Sequence, residues 1–378
     1  MVKQGEAHQE AAVEEREAFA GATEPFRREL LAHCYRLLGS VDDATDVVQE
    51  TYLRAWRSHG TFEGRSSMRT WLYRIATNAC LSALAHHSRR VLPAGLGGPE
   101  ADPGTAPVPA GPGVRWLQPV PDALVAPGPD GADDPAAVVV AREDLRLALV
   151  ASLQYLSGAQ RAVLLLRDVL SFPAAEVAAM LGTTTAAVKS TLQRARARLR
   201  ALAPEPDDIT PPTGPEARAL LDQYIAAFQN ADAPALERLL RRDATLEATP
   251  FTTWFAGNAT CVPYLRTWVL GSPGDWLMLP TSANGQPAAV AYTRDPDGAY
   301  QAYGVVVLTV TPTGIRHVHS FHQPALAAVF GFPRTASAGD RARRTEPGSP
   351  LAAVGHRPGR EDRRPGTPGT PGRLGTPG

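Results

Sequence analysis

The chain has 378 residues, which is enough for two or three domains at about 150 residues each. Its 38 Lys and Arg balance 38 Asp and Glu, and 44% of the residues are hydrophobic, as expected for a protein with well-formed cores in water. No apolar run reaches the roughly 18 residues of a membrane span, and the polar N-terminus does not resemble an export signal. We therefore expect a cytoplasmic protein without membrane contact. The three cysteines (Cys34, Cys80 and Cys261) are too few and too far apart for a disulfide framework or a metal site, and we expect no cofactor.

The zero net charge conceals blocks of opposite sign. Residues 1–50 carry 5 basic and 11 acidic side chains, residues 51–90 carry 7 and 1, and residues 142–203 carry 9 and 4. Such blocks indicate separate surfaces with separate partners.

The pattern of apolar residues and turn formers predicts two all-helical domains followed by an α+β domain. Ser40 is a candidate N-cap between the first two helices, and Gly39 ends the first of them. Pro- and Gly-rich segments separate the domains, although the apolar stretch 115–125 looks able to dock on a domain surface. The predicted boundaries are a disordered N-terminus at 1–22, a helical bundle at 23–90, a linker at 91–141, a helix-turn-helix domain at 142–203, a linker at 204–214, an α+β domain at 215–334 and a disordered tail at 335–378.

The stretch "TTTAAVKSTLQRARARLR", residues 183–200, has five basic residues and no acidic one. An apolar stripe at helical spacing (Val188, Leu192, Ala195, Leu199) predicts that one face of this helix packs against a core. Upstream, Ala178 and Gly182 have the size and turn chemistry of a helix-turn-helix, and Thr185 is a candidate cap. The second helix would then present its basic flanks to duplex DNA, whereas a solvated helix in an ordinary bundle is the alternative.

Two long segments resemble extracytoplasmic-function sigma factors. "DDATDVVQETYLRAWRSHGTFEGRSSMRTWLYRIATNAC" resembles their region 2, and "LSGAQRAVLLLRDVLSFPAAEVAAMLGTTTAAVKSTLQRARARLR" resembles their region 4. At "LSGAQ" the family more often has a Pro-rich helix start, so we expect a looser turn there. The resemblance implies an alternative sigma factor that is not itself an enzyme.

The resemblance also implies the partners and the residues that meet them. The partners are core RNA polymerase, through its β′ clamp helices and β flap, and the minus-10 and minus-35 elements of promoter DNA. On this basis the clamp helices would bind Asp46, Gln49, Glu50 and Thr51. The minus-10 element would meet Arg65, Arg69 and Arg74 at its phosphates, Trp71 and Tyr73 by stacking, and Asn78 at a base edge, although Trp71 is equally suited to a core. The minus-35 element would meet Thr185, Ala186, Lys189, Ser190, Gln193, Arg196 and Arg200.

The stretches "LLDQYIAAFQNADAPALERLLRRDATLEATPFTTWFAG" and "VHSFHQPALAAVFGFP" lie within residues 215–334. Through them, this segment resembles a SnoaL-like domain of the nuclear-transport-factor-2 (NTF2) superfamily, a curved sheet with helices folded into a cone. With this extension, and with "RWLQPVPDAL" in its linker, the sequence is most similar to the actinobacterial sigma G type. The resemblance implies that the domain restrains or adjusts polymerase and promoter binding in place of a separate anti-sigma protein. Candidate acid/base residues are Asp243, His317, His319 and His322, and candidate pocket aromatics are Trp254, Tyr264, Trp268, Trp276, Tyr292 and Tyr303. Structural roles are favoured for the former: Asp243 ending a helix, the histidines at 317 and 319 on opposite sheet faces, and His322 at the surface.

The sequence therefore favours a sigma factor regulated in cis by its C-terminal domain, with a small-molecule ligand of that domain left open. Two alternatives remain: a one-component regulator whose cone senses a metabolite, and a cone-domain isomerase or hydrolase. The first alternative leaves the acidic helix at Asp46 to Thr51 and the aromatic "RTWLYR" without a role, and the second requires turnover of a substrate by residues 213–334 alone.

Overall fold

Helices in the N-terminal part of the computed structural model begin and end where the sequence provides caps. The structure describes residues 2–62, 64, 66–85, 88–126, 145–202 and 214–337. The first helices are α1 (Val2–Thr23), α2 (Arg27–Leu38), α3 (Val41–Ser58) and α4 (Met68–Ala85). Gly39 ends α2 with a φ of 69°, and the Ser40 hydroxyl accepts the Asp43 N–H at 3.2 Å to cap α3. The predicted cap positions are confirmed.

The N-terminal segment differs from the disordered arm expected at 1–22, because it is helical in the structure. Phe19 is buried and packs edge-on against Trp56 at a ring distance of 5.2 Å. The Tyr52 hydroxyl donates to the carbonyl of Thr23 at 3.0 Å. Contacts with α3 therefore hold the end of α1, and a local sequence pattern does not reveal such contacts.

The segment between the helical domains packs against its surroundings along most of its described length. The predicted docking of 115–125 is confirmed, since Leu117 and Val120 are fully buried ahead of the short helix α5 (Asp122–Val125). Earlier in the segment, the Glu100 N–H donates to the Trp254 carbonyl at 2.7 Å. The linker expected at 91–141 is thus fastened to other domains up to residue 126.

The second helical group consists of four helices and one wider turn. These are α6 (Leu147–Leu153), α7 (Gly158–Leu164) with a π-helical turn at Leu165–Val169, α8 (Ala174–Met180) and α9 (Thr185–Leu202). The looser turn expected at "LSGAQ" is wrong, because Ser157 and Gln160 form a reciprocal capping box at the start of α7. Gly182 adopts a φ of 61° between α8 and α9, as the helix-turn-helix pattern predicts.

The C-terminal part is a curved sheet covered by helices. Its helices are α10 (Pro215–Gln229), α11 (Ala233–Leu239), α12 (Asn258–Trp268) and α13 (Leu326–Val329). Its strands are β1 (Leu240–Thr249), β2 (Trp254–Ala256), β3 (Trp276–Ala283), β4 (Gln286–Arg294), β5 (Tyr300–Thr311), β6 (Gly314–Phe321) and β7 (Thr335–Ala336). The strand order is β2-β1-β6-β5-β4-β3, with β7 on β5; β1 and β6 pair in parallel, and the other pairs of these seven strands are antiparallel.

Alternate residues of the strands supply two separate cores. Met278 and Ala291 belong to a cluster beneath the helices of the cone. Leu277 and Val290, one residue away, belong to a second cluster that continues through the linker into both helical domains. Because successive side chains of a strand point to opposite faces, one sheet serves both cores. The C-terminal domain is therefore built into the helical domains and is not an appended module.

One hairpin turn joins the sheet to three other segments. Asn284 and Gly285 form the two-residue β3–β4 connection with φ values of 56° and 66°, as in a type I′ turn. The fully buried Asn284 amide donates to the Tyr35 hydroxyl at 2.8 Å and to the Leu145 carbonyl at 2.7 Å. Its oxygen accepts the Val120 N–H at 3.0 Å. A single side chain thus connects α2, the linker and the start of the second helical group.

Replacing Asn284 should destabilise the whole chain. Asn284→Ala removes three buried hydrogen bonds and puts alanine, which tolerates the left-handed region less well than asparagine, at a φ of 56°, so we expect a loss of about 3 kcal/mol in the free energy of unfolding. Asn284→Gly loses the same bonds without the strain and should be about 1 kcal/mol less damaging. Urea denaturation followed by circular dichroism measures both. Asp297→Ala, in the exposed β4–β5 turn, is the control, and an Asn284→Ala variant as stable as this control would contradict the assigned role.

Candidate promoter, polymerase and cavity sites

The second helix of the helix-turn-helix, α9, presents its predicted DNA face to solvent. Val188, Leu192 and Ala195 are buried as the apolar stripe predicts. The cap is Thr184, whose hydroxyl accepts the Ala187 N–H at 3.1 Å, and not the expected Thr185. All seven residues predicted for the minus-35 element are exposed: Thr185, Ala186, Lys189, Ser190, Gln193, Arg196 and Arg200.

The arginines of α9 differ in their partners. The Arg196 guanidinium makes two bonds of 2.8 and 2.7 Å with the Asp168 carboxylate, and these bonds raise the pKa of Arg196. Arg198 donates to the Tyr155 carbonyl at 2.9 Å, and Arg194 donates to Thr191 at 3.2 Å. Arg196 must therefore exchange or share its carboxylate partner to bind a phosphate.

Helix α4 buries the two aromatic residues that were predicted to stack on bases. Trp71 is 5% exposed and Tyr73 is 0% exposed, so in this structure neither ring is open to a base. Trp71 packs against Phe62 with ring centroids 4.7 Å apart. The Tyr73 hydroxyl donates to Glu29 at 3.1 Å, and burial raises its pKa. In this structure the Trp71 ring packs on Phe62 and the Tyr73 ring packs on α2, and stacking of either ring on a base stays a prediction.

The remaining minus-10 candidates have different surroundings. Arg74 and Asn78 are exposed on α4, whereas Arg65 lies outside the described residues. Arg69 is half-buried and makes a bidentate ion pair with Glu29, with N–O distances of 2.9 to 3.1 Å. Two candidates are thus available on the surface of α4.

The predicted DNA face of α4 meets the first helix of the helix-turn-helix, α8. The Asn78 amide donates to the Met180 carbonyl at 3.3 Å, and the Thr70 hydroxyl donates to Glu176 at 3.4 Å. The Arg69 guanidinium lies 5.0 Å from the centre of the Phe172 ring, just before α8. A groove with an empty volume of about 790 Å³, open solvent included, lies along this contact. In this conformation the two helical domains cover part of each other.

Helix α3 exposes most of the residues predicted to bind polymerase. Asp46, Gln49 and Glu50 are exposed, but Thr51 is fully buried and donates to the Val47 carbonyl at 2.7 Å. In this structure Thr51 is therefore a packing residue, and its contact with polymerase stays a prediction. Leu53, 55% exposed, follows at helical spacing on the same face. Sequence patterning missed it because an apolar residue in a helix is normally assigned to the core.

The acidic start of α3 is occupied by the linker. Arg90 and Arg115 both bind the Asp43 carboxylate, at 2.6 and 2.7 Å, and the Gln118 amide donates to Asp42 at 2.8 Å. Only the later acidic residues of α3 are therefore available to a partner.

The candidate acid/base residues of the cone lie mostly outside its cavity. The rings of His317 and His319 are 5.8 Å apart on the same outer face of β6, so the expectation of opposite faces is wrong: residues two apart on a strand share a face. His319 lies 3.3 Å from the buried Glu247, which also accepts the Ala94 N–H at 2.8 Å. Burial acts to raise the pKa of Glu247, but the hydrogen bond and charge of His319 outweigh it, and the pKa lies below its usual range.

Asp243 pairs with Arg241 on strand β1 and does not end a helix.

The cavity of the cone is apolar and aromatic. It has an empty volume of about 480 Å³, its open mouth included. The lining residues are Tyr224, Phe228, Leu246, Ala248, Tyr264, Leu265, Val269, Trp276, Met278, Ala291, Tyr303, Val306, Val318, Ser320 and His322. Three of the six predicted aromatics thus line it. The others lie elsewhere: Trp254 donates to the Gly97 carbonyl, Trp268 is 43% exposed, and Tyr292 donates to the Pro333 carbonyl.

His322 faces the cavity, where we expected a surface position. Its Nδ1 lies 3.0 Å from the Tyr303 hydroxyl. Burial lowers the pKa of His322 to about 4 and raises that of Tyr303 to about 12, so both groups are uncharged at neutral pH. Among the described residues no cluster of three or more His, Cys, Asp or Glu could hold a metal ion, and no helix is long and apolar enough to span a membrane.

The structure combines a helical bundle that carries an acidic helix with a helix-turn-helix that exposes a basic helix. Known protein families match both of these parts. The family Sigma-70 region 2 matches residues 23–90, and Sigma-70, region 4 matches residues 146–199. These two regions define a sigma factor, the class of protein that brings RNA polymerase to promoters.

The chain belongs to the extracytoplasmic-function (ECF) RNA polymerase sigma factors. ECF RNA polymerase sigma factor SigG of Mycobacterium tuberculosis is 47% identical to it over 326 residues, which cover 86% of each chain. SigJ of the same organism is 34% identical over 222 residues, or 59% of this chain and 62% of SigJ. The crystal structure of SigJ superposes with a TM-score of 0.51 at 26% identity and covers 85% of this chain and 99% of SigJ.

The chain therefore directs transcription as an alternative sigma factor, binds core RNA polymerase and promoter DNA, and is not an enzyme. Its C-terminal part is a domain of helices and a curved sheet, as the sequence predicts, and its membership of the NTF2 superfamily stays a prediction. Since the family is established by matches over both helical regions, the alternatives of a one-component regulator and of a cone-domain enzyme are set aside.

The stability of the chain should fall as the pH falls from about 6.5, and His322 should account for part of the fall. Between its ordinary pKa of 6.5 and about 4, the unfolded chain binds a proton at this residue that the folded chain does not. Unfolding is thereby favoured at lower pH, by about 1 kcal/mol per pH unit for one group. His322→Gln should reduce the slope of unfolding free energy against pH by this amount between pH 6 and 5. Ser320→Ala, which removes a group that does not titrate, should leave the slope unchanged, and equal slopes for all three chains would contradict the assignment.

Proposed function

We propose that the cone and the linker restrain this sigma factor in cis by holding its two promoter-binding domains against each other. The observation that carries the proposal is the Asn284 side chain, which binds α2, the linker and the start of the second helical group at once. The domains held in this way touch where Asn78, on the proposed promoter face of α4, donates to the Met180 carbonyl on α8.

The spacing of the two promoter elements supports a restraint. The minus-35 and minus-10 elements lie about 25 base pairs apart, or about 85 Å along B-form DNA. Helices α4 and α8 touch, with 3.3 Å between the Asn78 nitrogen and the Met180 oxygen. Both elements cannot be bound while that contact persists. The covalent path from Ala126 to Leu145 can extend over at most about 65 Å, so the chain has enough length for a large separation.

The proposed DNA contacts follow exposure. The seven exposed residues of α9 would read the minus-35 element, with Lys189 and Arg196 at phosphates and the residues near Thr185 at base edges. On α4, Arg74 and Asn78 would meet the minus-10 element, and Arg69 would join them when Phe172 moves away with α8. We keep Arg65 as a proposed phosphate contact on the basis of its sequence alone.

For the polymerase, we propose that the exposed face of α3 binds the β′ clamp helices. Asp46, Gln49 and Glu50 supply the polar part of that face, and Leu53 supplies an apolar anchor among them. Apolar anchors surrounded by polar residues are common in protein interfaces. The second helical group would meet the β flap, and the complex would act in the cytoplasm, where transcription takes place.

Substitutions on and beside α9 should show which of its basic side chains contact DNA phosphates. Lys189→Ala should weaken binding to a minus-35 duplex and reduce the slope of log affinity against log salt by about 0.9, because one phosphate contact is lost. Asp168→Asn frees Arg196 and removes a nearby negative charge, so binding should strengthen on the order of threefold. Fluorescence anisotropy with a duplex selected in vitro measures both effects. Arg194→Ala, on the other flank, is the control; if it weakened binding as much as Lys189→Ala, the assigned face would be wrong.

Loosening the restraint should increase transcription. We compare the full chain with Asn284→Ala, and with Asp122→Ala, which removes the acceptor of the Gly285 N–H from the linker side of the same turn. We measure run-off transcription with purified core polymerase. Transcription per holoenzyme should rise about fivefold for each 1 kcal/mol by which the substitution weakens the contacts that hold the two promoter-binding domains together.

The control for this experiment is Asp297→Ala, in a hairpin turn that faces solvent. Asn284→Ala also lowers the overall stability of the chain. Asp122→Ala therefore provides a second test of whether loosening the restraint increases transcription. Transcription that stays constant or decreases in both variants, at unchanged affinity for core polymerase, would exclude a restraining role for the cone.

We further propose that the cone is a site for a small-molecule effector of this restraint, and its apolar cavity supports this proposal. Strands β3 and β4 contribute Met278 and Ala291 to the cavity and end at the Asn284 turn. An occupant of the cavity would therefore touch β3 and β4, the two strands that the Asn284 turn joins.

A further inference from the structure

Phe172, in the turn before α8, places its ring against α4. The side chain is 5% exposed, and its ring meets that of Tyr73 edge-on at 5.3 Å. The Arg69 guanidinium lies 5.0 Å from the centre of the Phe172 ring and 4.9 Å from the centre of the Tyr73 ring. A guanidinium within about 6 Å of a ring centre is attracted to the ring. Arg69 is therefore held between an aromatic side chain of each helical domain.

The Phe172 contact outweighs the two hydrogen bonds between α4 and α8. The bond from Asn78 to Met180 is 3.3 Å long and that from Thr70 to Glu176 is 3.4 Å long, at the outer limit for such bonds. Burial of a phenylalanine ring stabilises a contact more than a long hydrogen bond does. The helix-turn-helix therefore covers α4 mainly through Phe172.

The backbone holds Phe172 in a fixed position. Ser171 has a φ of 56°, in the left-handed region that is unfavourable for a residue with a side chain. The Phe172 N–H donates to the Leu166 carbonyl at 2.9 Å, and the Phe172 carbonyl accepts from the Arg167 guanidinium. Residues in such conformations are often found where a neighbouring side chain has a functional position. The turn thus keeps the ring against α4 although Ser171 is strained.

Arg69 retains the capacity to bind a phosphate. Its Nε and Nη2 atoms donate to Glu29 at 2.9 to 3.1 Å, but within the part of the chain that the structure describes no hydrogen bond is found for Nη1. The side chain is 36% exposed, and the Phe172 ring lies beside its guanidinium. Guanidinium N–H groups are common partners of DNA phosphates. Removal of the ring would leave Nη1 free to meet one.

We propose that Phe172 competes with single-stranded promoter DNA for Arg69. While the two helical domains touch, the ring occupies the place beside the guanidinium that a phosphate of the minus-10 strand takes after the domains separate. This inference rests on the proposed restraint and on the proposed minus-10 contact of Arg69, and it assigns the covering of that contact to one side chain.

The test measures binding of a short fluorescein-labelled oligothymidylate to the full chain by fluorescence anisotropy, without polymerase. Phe172→Leu and Phe172→Met keep an apolar side chain in the core but remove the ring, so each should strengthen binding about fivefold. The slope of log affinity against log salt should steepen by about 0.7, because one phosphate contact with a single strand is gained. With Arg69→Gln in the same chain both gains should disappear, since the partner of the phosphate is absent.

Phe19→Leu is the matched control. Phe19 is 6% exposed and meets Trp56 edge-on at 5.2 Å, so it loses a similar aromatic pair, but between α1 and α3. Its affinity and salt slope should equal those of the unsubstituted chain. The proposal is overturned if neither Phe172 variant strengthens binding, if the gain persists with Arg69→Gln, or if Phe19→Leu produces the same gain.

Failure of this proposal is distinguishable from failure of the restraint by the cone. The restraint is tested by transcription in the Asn284 and Asp122 variants, whereas this contact is tested by DNA binding in the absence of polymerase. Transcription that rises in those variants without a gain in the Phe172 variants excludes the competition alone. A gain in the Phe172 variants with constant transcription supports the competition and excludes control by the cone.

Discussion

The architecture depends on the buried amide of Asn284. Its amide group donates to Tyr35 and Leu145 and accepts from Val120, so its hydrogen-bonding needs are met only while three segments keep their places. A buried amide without its partners is costly, which makes the positions of these segments mutually dependent. The turn that carries Asn284 belongs to the cone, so the cone takes part in positioning the helices that bind polymerase and DNA.

This arrangement treats the two promoter-binding surfaces differently. Helix α9 exposes its whole basic flank, whereas α4 has its aromatics in a core and part of its polar face against α8. The chain is thus organised so that duplex binding needs only local changes, such as release of Arg196 from Asp168. Engagement of the minus-10 element requires movement of whole domains.

The sheet of the cone lies between the contacts of Asn284 with the helical domains and the cavity, because its two faces serve the two sides. Successive residues such as Leu277 and Met278 face the sigma helices and the cavity in turn. Polar groups follow the same division: His317, His319 and Glu247 lie on the outer face under the linker, and His322 lies inside with Tyr303. An occupant of the cavity and the contacts with promoter-binding helices are therefore separated by a single layer of backbone.

The sequence by itself determined what has a local cause. The Ser40 cap, the positive φ of Gly39 and Gly182, and the buried stripe of α9 each depend on residues within a turn or two, and family resemblance supplied the domain types. The shared sheet face of His317 and His319 was also available from the strand period. Only the tertiary structure decided that Trp71, Tyr73 and Thr51 are packing residues and that the linker is docked, because burial depends on segments far apart in the chain. Asn284 and Tyr35 are 249 residues apart, and no local pattern relates them.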